Sequence, residues 1–307
     1  MRLSELLSET EVALDSVTTR KWTPAQKVAA INTQNRSLTR KLAELDEDYS
    51  NFTFTLPLAS GRKPKQDVVS YRLPAWVYKI SAVRRSQGGA TAVRGPILGR
   101  ATKFNAKGWK LTASNELSLL GFSSAIDLEI DAAKDPARMT LGTLPSQAAM
   151  TTSQMRMDAD PGTYPHETIQ NSYAGGIFEI TGVASARVGQ TLRCTASLHD
   201  QSSIGTILTF EEAWTSVPLA ADTYEMRLEM PGAHSRLLVL LATRALLAQE
   251  RNMEGISVFA PELNEQWRLF LESIENRDMQ QPQTVIDVIP VEGEYATNPY
   301  TYLEEYR

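Results

Sequence analysis

The sequence reads as an α+β protein: a helical bundle built from N- and C-terminal helices, a large β-rich insertion of sandwich or barrel type, and an extended C-terminal tail. Three observations carry this expectation. Apolar residues recur every three to four positions near both ends of the chain. Between them lie short two-residue alternations broken by glycine and threonine turns. The last thirty residues have no period. The expected division is 1–50 for the first helices, 51–230 for the β-rich insertion, 231–277 for the closing helices and 278–307 for the tail.

Leu3, Leu6, Leu7, Leu14 and Val17 fall near one face of a first helix. Thr23 can cap a second, and Pro24 suits its first position, where no backbone N–H is needed. Val28, Ile31, Asn35, Leu38, Leu42 and Leu45 then form one apolar face to about Glu47, with Asn35 interrupting it. Lys27, Arg36, Arg40, Lys41 and Glu44 are expected on a solvated face. Phe52, Phe54, Leu56 and Leu58 alternate as a strand. Residues 71–83 read as strand with an edge or bulge at Pro74. Residues 139–176, rich in Ser, Thr, Met and Gln, read as a long, poorly patterned loop. Residues 177–183, 191–196, 206–210 and 224–230 are the best later strands. Leu237, Leu238, Leu240, Leu241, Ala245 and Leu247 cover most of a helix surface, so that helix is buried on several sides. Gly255 fits a stop, and Ala260-Pro261-Glu262 a new start, with Leu263, Trp267, Phe270, Leu271 and Ile274 on its apolar face. That helix is expected to end near Arg277-Asp278.

At 307 residues, with 42% hydrophobic and 22% charged residues, the chain has the composition of a globular protein. Its single cysteine, Cys194, excludes an intrachain disulfide and a cysteine-rich zinc site. Its most apolar run is about 12 residues and contains Arg244, short of the roughly 20 that a membrane span needs. A soluble, cytosolic, reduced chain is expected. His166, His199 and His234 are far apart, Asp158-Ala159-Asp160 lacks the rest of a calcium loop, and residues 88–95 make no phosphate loop. No local constellation points to catalysis, a metal or a cofactor, and the expectation is a protein that is not an enzyme.

Charge is strongly segregated. Residues 61–110 hold twelve Lys or Arg against one acid, Asp67, a net of +11; with −5 overall, the remainder carries −16. Residues 254–307 hold eleven acids against Arg268, Arg277 and Arg307. The basic window admits three readings: a phosphate-binding face with Tyr71, Trp76, Tyr78, Phe104 and Trp109 as stacking platforms, a surface for an acidic protein partner, or a solvated sheet face. The acidic tail, with Tyr295, Tyr300, Tyr302 and Tyr306 and three prolines, favours a protein partner, because tyrosine supplies amphipathic contact area and proline lowers the entropy lost on ordering.

Trp22-Thr23-Pro24, then Ile31-Asn32, then Tyr71-Arg72-Leu73-Pro74-Ala75-Trp76 leading into Ile80-Ser81-Ala82-Val83-Arg84-Arg85 resemble the head–tail adaptor (connector, head-completion) proteins of tailed bacteriophages. Leu228-Glu229-Met230-Pro231, the leucine-rich helix after it and Asn276-Arg277-Asp278 continue the likeness, which covers about the first 85 and last 80 residues. Residues 86–222 are much longer than the compact members carry. The resemblance implies a virion structural protein of the neck, assembled in the host cytoplasm, without cofactor or membrane. It implies a homo-oligomeric ring, usually twelvefold, that meets the portal protein above and tail or nozzle proteins below and lets genomic DNA pass. Tyr295, Tyr300, Tyr302, Leu303 and Tyr306 then fall in the segment that clasps the portal. Arg62, Lys63, Lys65, Arg84, Arg85, Arg94 and Arg100 are the candidate subunit or DNA contacts. The alternatives from the residues are a nucleic-acid-binding module using 61–110, or a baseplate or fibre component.

Overall fold

The computed structural model describes residues 1–45, 51–74, 76–86, 97–101, 107–112, 116–144, 151–158, 173–182, 188–200, 205–219, 222–229 and 234–280, and side chains at all but a few of them. Four helices lie at its two ends: α1 (Leu3–Asp15), α2 (Pro24–Leu45), α3 (Ser235–Glu250) and α4 (Met253–Gln280). At the start of α2 the Gln26 N–H donates to Thr23 Oγ1 at 3.3 Å and the Thr23 N–H to Gln26 Oε1 at 3.0 Å, a reciprocal cap. All four helices contribute to one apolar core, among them Leu3, Leu6, Ile31, Leu38, Leu263 and Phe270. In α3, Leu237, Leu238, Val239 and Leu240 are fully buried in succession, so every side of the helix at that level meets another element. This helix packs against α1, α2 and α4.

The close of α3 differs from the expectation. Arg251, not Gly255, turns the chain, with a left-handed φ of 60°. Asn252 then caps α4, its Oδ1 accepting the Gly255 N–H at 2.8 Å. Gly255 thus lies in the first turn of α4, which starts well before Pro261 and runs through it to Gln280. Pro261 lacks one helical hydrogen bond, yet Ile256, Phe259, Leu263, Trp267, Phe270 and Ile274 hold one face against the core on both sides of it.

The strands gather around two further cores. The first holds β1 (Asn51–Leu56), β2 (Arg62–Lys65), β3 (Val68–Arg72), β4 (Val77–Arg85), β5 (Gly108–Leu111), β6 (Glu116–Leu120) and β7 (Leu128–Lys134). They form two antiparallel sheets, ordered β1-β7-β4 and β2-β3-β6-β5, around Tyr71, Val83, Leu117, Leu119, Leu128 and Ile130. The strand expected across 71–83 is two strands in different sheets. Pro74 has no N–H to extend a ladder, and its carbonyl accepts the Val77 N–H at 3.1 Å to turn the chain.

The second core belongs to β8 (Leu141–Thr143), β9 (Gln154–Asp158), β10 (Ile177–Ile180), β11 (Thr191–Asp200), β12 (Gly205–Phe210) and β13 (Thr223–Arg227), in the antiparallel order β8-β13-β10-β11-β12-β9. Phe178, Phe210, Trp214 and Tyr224 form its aromatic centre, and a bulge between Cys194 and Ala196 breaks the β11–β12 register. The region expected as a loop, 139–176, therefore supplies two strands and the buried Met139, Met155 and Met157. Methionine fills cores but gives a weak β signal, which is why composition misjudged it.

Candidate interaction surfaces

Three polar junctions lock the helices onto the strands. In the first, Asn32 of α2 accepts the Met139 N–H at 2.7 Å and donates to the Met139 carbonyl at 3.0 Å, pairing a helix side chain with a strand-like backbone. In the second, Asp135 receives Arg40 through two bonds of 2.7 and 2.8 Å, with Arg36 3.5 Å away. The bidentate bond holds the Arg40 guanidinium above its ordinary range, against partial desolvation. Arg40 also lies over the ring of Tyr78, whose hydroxyl donates to Glu44. In the third, the buried Glu179 accepts Arg2 at 2.5 Å and Arg227 at 2.7 Å, while Glu225 accepts the Ser4 N–H at 3.1 Å in the first turn of α1. The expected solvated face of α2 holds at Arg36, Lys41 and Glu44, which are exposed, while Arg40 is half-buried on Asp135 and Lys27 is corrected: it is 5% exposed beside Glu11 at 3.2 Å. Between Asn32, Arg36 and residues 136–138 lies an open cleft of about 240 Å³.

A fourth contact joins the two β cores. Lys134, at the end of β7, is buried and its ammonium donates to the Ala174 carbonyl. Burial pulls that ammonium below the ordinary lysine range, while Glu229 opposes the shift. Sequence reasoning missed all four contacts, because their partners stand 34 to 221 positions apart and leave no local spacing.

The basic window is spread over several elements. Arg62 and Lys63 are exposed on the edge strand β2, Arg85 is exposed at the end of β4, and Arg100 is exposed with its guanidinium 5.7 Å from the ring centre of Trp109. Arg84 is instead committed inward, 3.1 Å from Asp131, which also accepts Thr53. The side chain of Lys65 and the whole of Arg94 lie outside the described residues, as do Tyr295, Tyr300, Tyr302, Leu303 and Tyr306.

Three of the five expected stacking platforms are corrected, while Tyr78 is partly exposed. Tyr71, Trp76 and Trp109 are 0%, 6% and 6% exposed, and the Tyr71 hydroxyl donates to the Ile126 carbonyl at 2.6 Å. Such rings build the core and present no face to a base. Phe104 lies outside the described residues.

Among the described residues no group of three His, Cys, Asp or Glu side chains could hold a metal ion, and no helix is long and apolar enough to cross a membrane. Cys194 is buried, and desolvation pushes its thiol up to about 12. His234 precedes α3 with its ring edge-on to Phe270, and its Nε2 lies 3.1 Å from Ser273 Oγ. Comparison with family models and with curated proteins gives no match for this chain.

Proposed function

We propose that this chain is a structural adaptor of a phage neck: a bundle of its terminal helices assembles copies into a closed ring between portal and tail, and the ring extends the DNA channel without catalysis. The observation that carries the reading is the separation of charge onto different surfaces. Arg62, Lys63, Arg85 and Arg100 point outward from the β region, while α4 exposes Glu254 and the pair Glu265 and Glu272 sharing Arg268, a net acidic surface, and is followed by an acidic, tyrosine-bearing segment. A ring whose contacts run head to tail needs two unlike patches on every copy, and opposite charge provides them. The sequence likeness to head–tail adaptors supplies the particular setting, including a clasp on the portal by residues 278–307. The burial of Tyr71, Trp76 and Trp109 weakens the nucleic-acid reading, because it removes three of the five platforms for stacking.

Light scattering and electron imaging of the purified full chain test the proposal. Closed rings of one size are the expected result. A monomer at all concentrations, or tight DNA binding with a steep salt slope by isolated monomers, would overturn it.

A further inference from the structure

We infer that the outer edge of β1 accepts a strand from residues 284–289 of a second copy of this chain. The inference rests on the ring reading above and names a contact within it.

An open sheet edge is a template for another strand, and native proteins guard such edges with charge, proline, shortness or a covering segment. Most edges here are guarded. The edge strand β2 carries Arg62, Lys63 and Pro64. The far edge of β4 is met by Leu98, whose N–H donates to the Val83 carbonyl at 2.8 Å. The far edge of β5 is met by residues 99–101, through Trp109 N–H to Gly99 carbonyl at 3.0 Å and Ala101 N–H to Trp109 carbonyl at 2.7 Å. The edge strand β8 has three residues, and β9 includes Arg156 and Asp158.

The exception is β1. Its sequence, Asn-Phe-Thr-Phe-Thr-Leu, holds no charge and no proline, and no described backbone group bonds to its outer edge. Phe52 and Phe54 stack on Trp76 with ring centres 5.4 and 4.9 Å away, yet both stay partly exposed. An apolar strip therefore runs along an edge with which no described segment pairs.

The matching donor is in the same sequence. Residues 284–289 read Thr-Val-Ile-Asp-Val-Ile, with five β-branched side chains in six. Pro282 and Pro290 flank them, and proline cannot donate to a ladder, so the pairing length is set at about the six residues of β1. The alternation also sets the face. With Ile286 and Val288 over Phe52 and Phe54, Asp287 falls on the polar face of Thr53 and Thr55; the opposite choice would press its carboxylate against the rings. Donor strand and open edge are unlike patches that fit each other, which is what a closed ring asks of one chain.

The test uses two full-length single variants, Thr53→Cys and Asp287→Cys, which fall opposite each other on the polar face in either strand direction, mixed under mild oxidation. Thr53 is exposed and the native Cys194 is buried, so neither disturbs the readout. The expected result is a disulfide-linked dimer containing one chain of each kind, lost when Ile286→Pro is added to the Asp287→Cys chain. A double variant that yields only an internally bridged monomer, a mixture that yields no mixed dimer, or a dimer that survives Ile286→Pro would each overturn the inference. Light scattering on the unmodified chain separates the two claims: oligomers without the cross-link sink this contact alone, and monomers sink the ring with it.

Discussion

At the scale of single residues, Asn32, His234 and Cys194 each lead to a measurement. Asn32 satisfies both backbone groups of Met139. Asn32→Ala leaves a partly buried N–H and C=O unpaired, and about 2 kcal/mol of stability is expected to be lost in urea unfolding. His234 is held below its ordinary value of 6.5 by desolvation, and its place before the first turn of α3 acts in the same direction. The Ser273 hydroxyl donates to the Phe270 carbonyl, so it accepts from Nε2–H of His234. Below pH 6.5 the unfolded chain binds a proton that the folded chain refuses, so stability falls with pH from there until the folded group also titrates. A His234→Gln chain should lose that part of the slope in unfolding experiments across pH 5 to 7. Cys194, buried and with its thiol pushed up to about 12, should resist maleimide at pH 8 in the native chain and react once denatured. Little of this was legible in the sequence. Asn32 stood in a recognisable Ile-Asn pair, but its partner lies 107 positions away and only the folded chain identifies it. His234 carried no pattern because its neighbours, Phe270 and Ser273, come from another helix.

Among the elements, legibility followed how strongly each one satisfied a single period. The start of α2 could be read because Thr23, Pro24 and a regular apolar face agree, and α3 because leucines surround it. The start of α4 could not, because a proline and a glycine inside it imitate boundaries while tertiary packing carries the helix past both. The short strands β8 and β9 were hidden for a different reason: β8 is three residues long with none buried, and β9 alternates over only five residues with methionine, a weak β former, at its buried positions. Two predictions belong to this scale. Pro261→Ala restores a hydrogen-bond donor within α4 and is expected to raise stability by about 1 kcal/mol or more, read as a higher midpoint in urea. Leu238→Ala in α3 opens a cavity where helices from both ends of the chain meet, and a loss of about 3 kcal/mol is expected.

For the whole molecule, charge decides more than fold does. The basic and acidic stretches were plain in the sequence, but which of their side chains remain outside was not, since Arg84 turns inward to Asp131 while Arg62 and Lys63 stay exposed. Opposite charges across a wet interface are screened over roughly 10 Å at 0.1 M salt and roughly 3 Å at 1 M. Rings held partly by this attraction should therefore assemble faster and more completely at low salt, and shed subunits as salt rises. A double reversal, Arg62→Glu with Lys63→Glu, separates attraction from general salt effects. Both side chains are exposed on an edge strand, so folding stability is expected to stay within about 0.5 kcal/mol. Ring formation at low salt should nevertheless fall sharply, since the reversed patch now repels the acidic surface of its neighbour. Sedimentation of both chains across a salt series reads the difference directly. Equal assembly of the two at low salt would remove β2 from the interface and leave Arg85 and Arg100 as the basic contacts to reverse next.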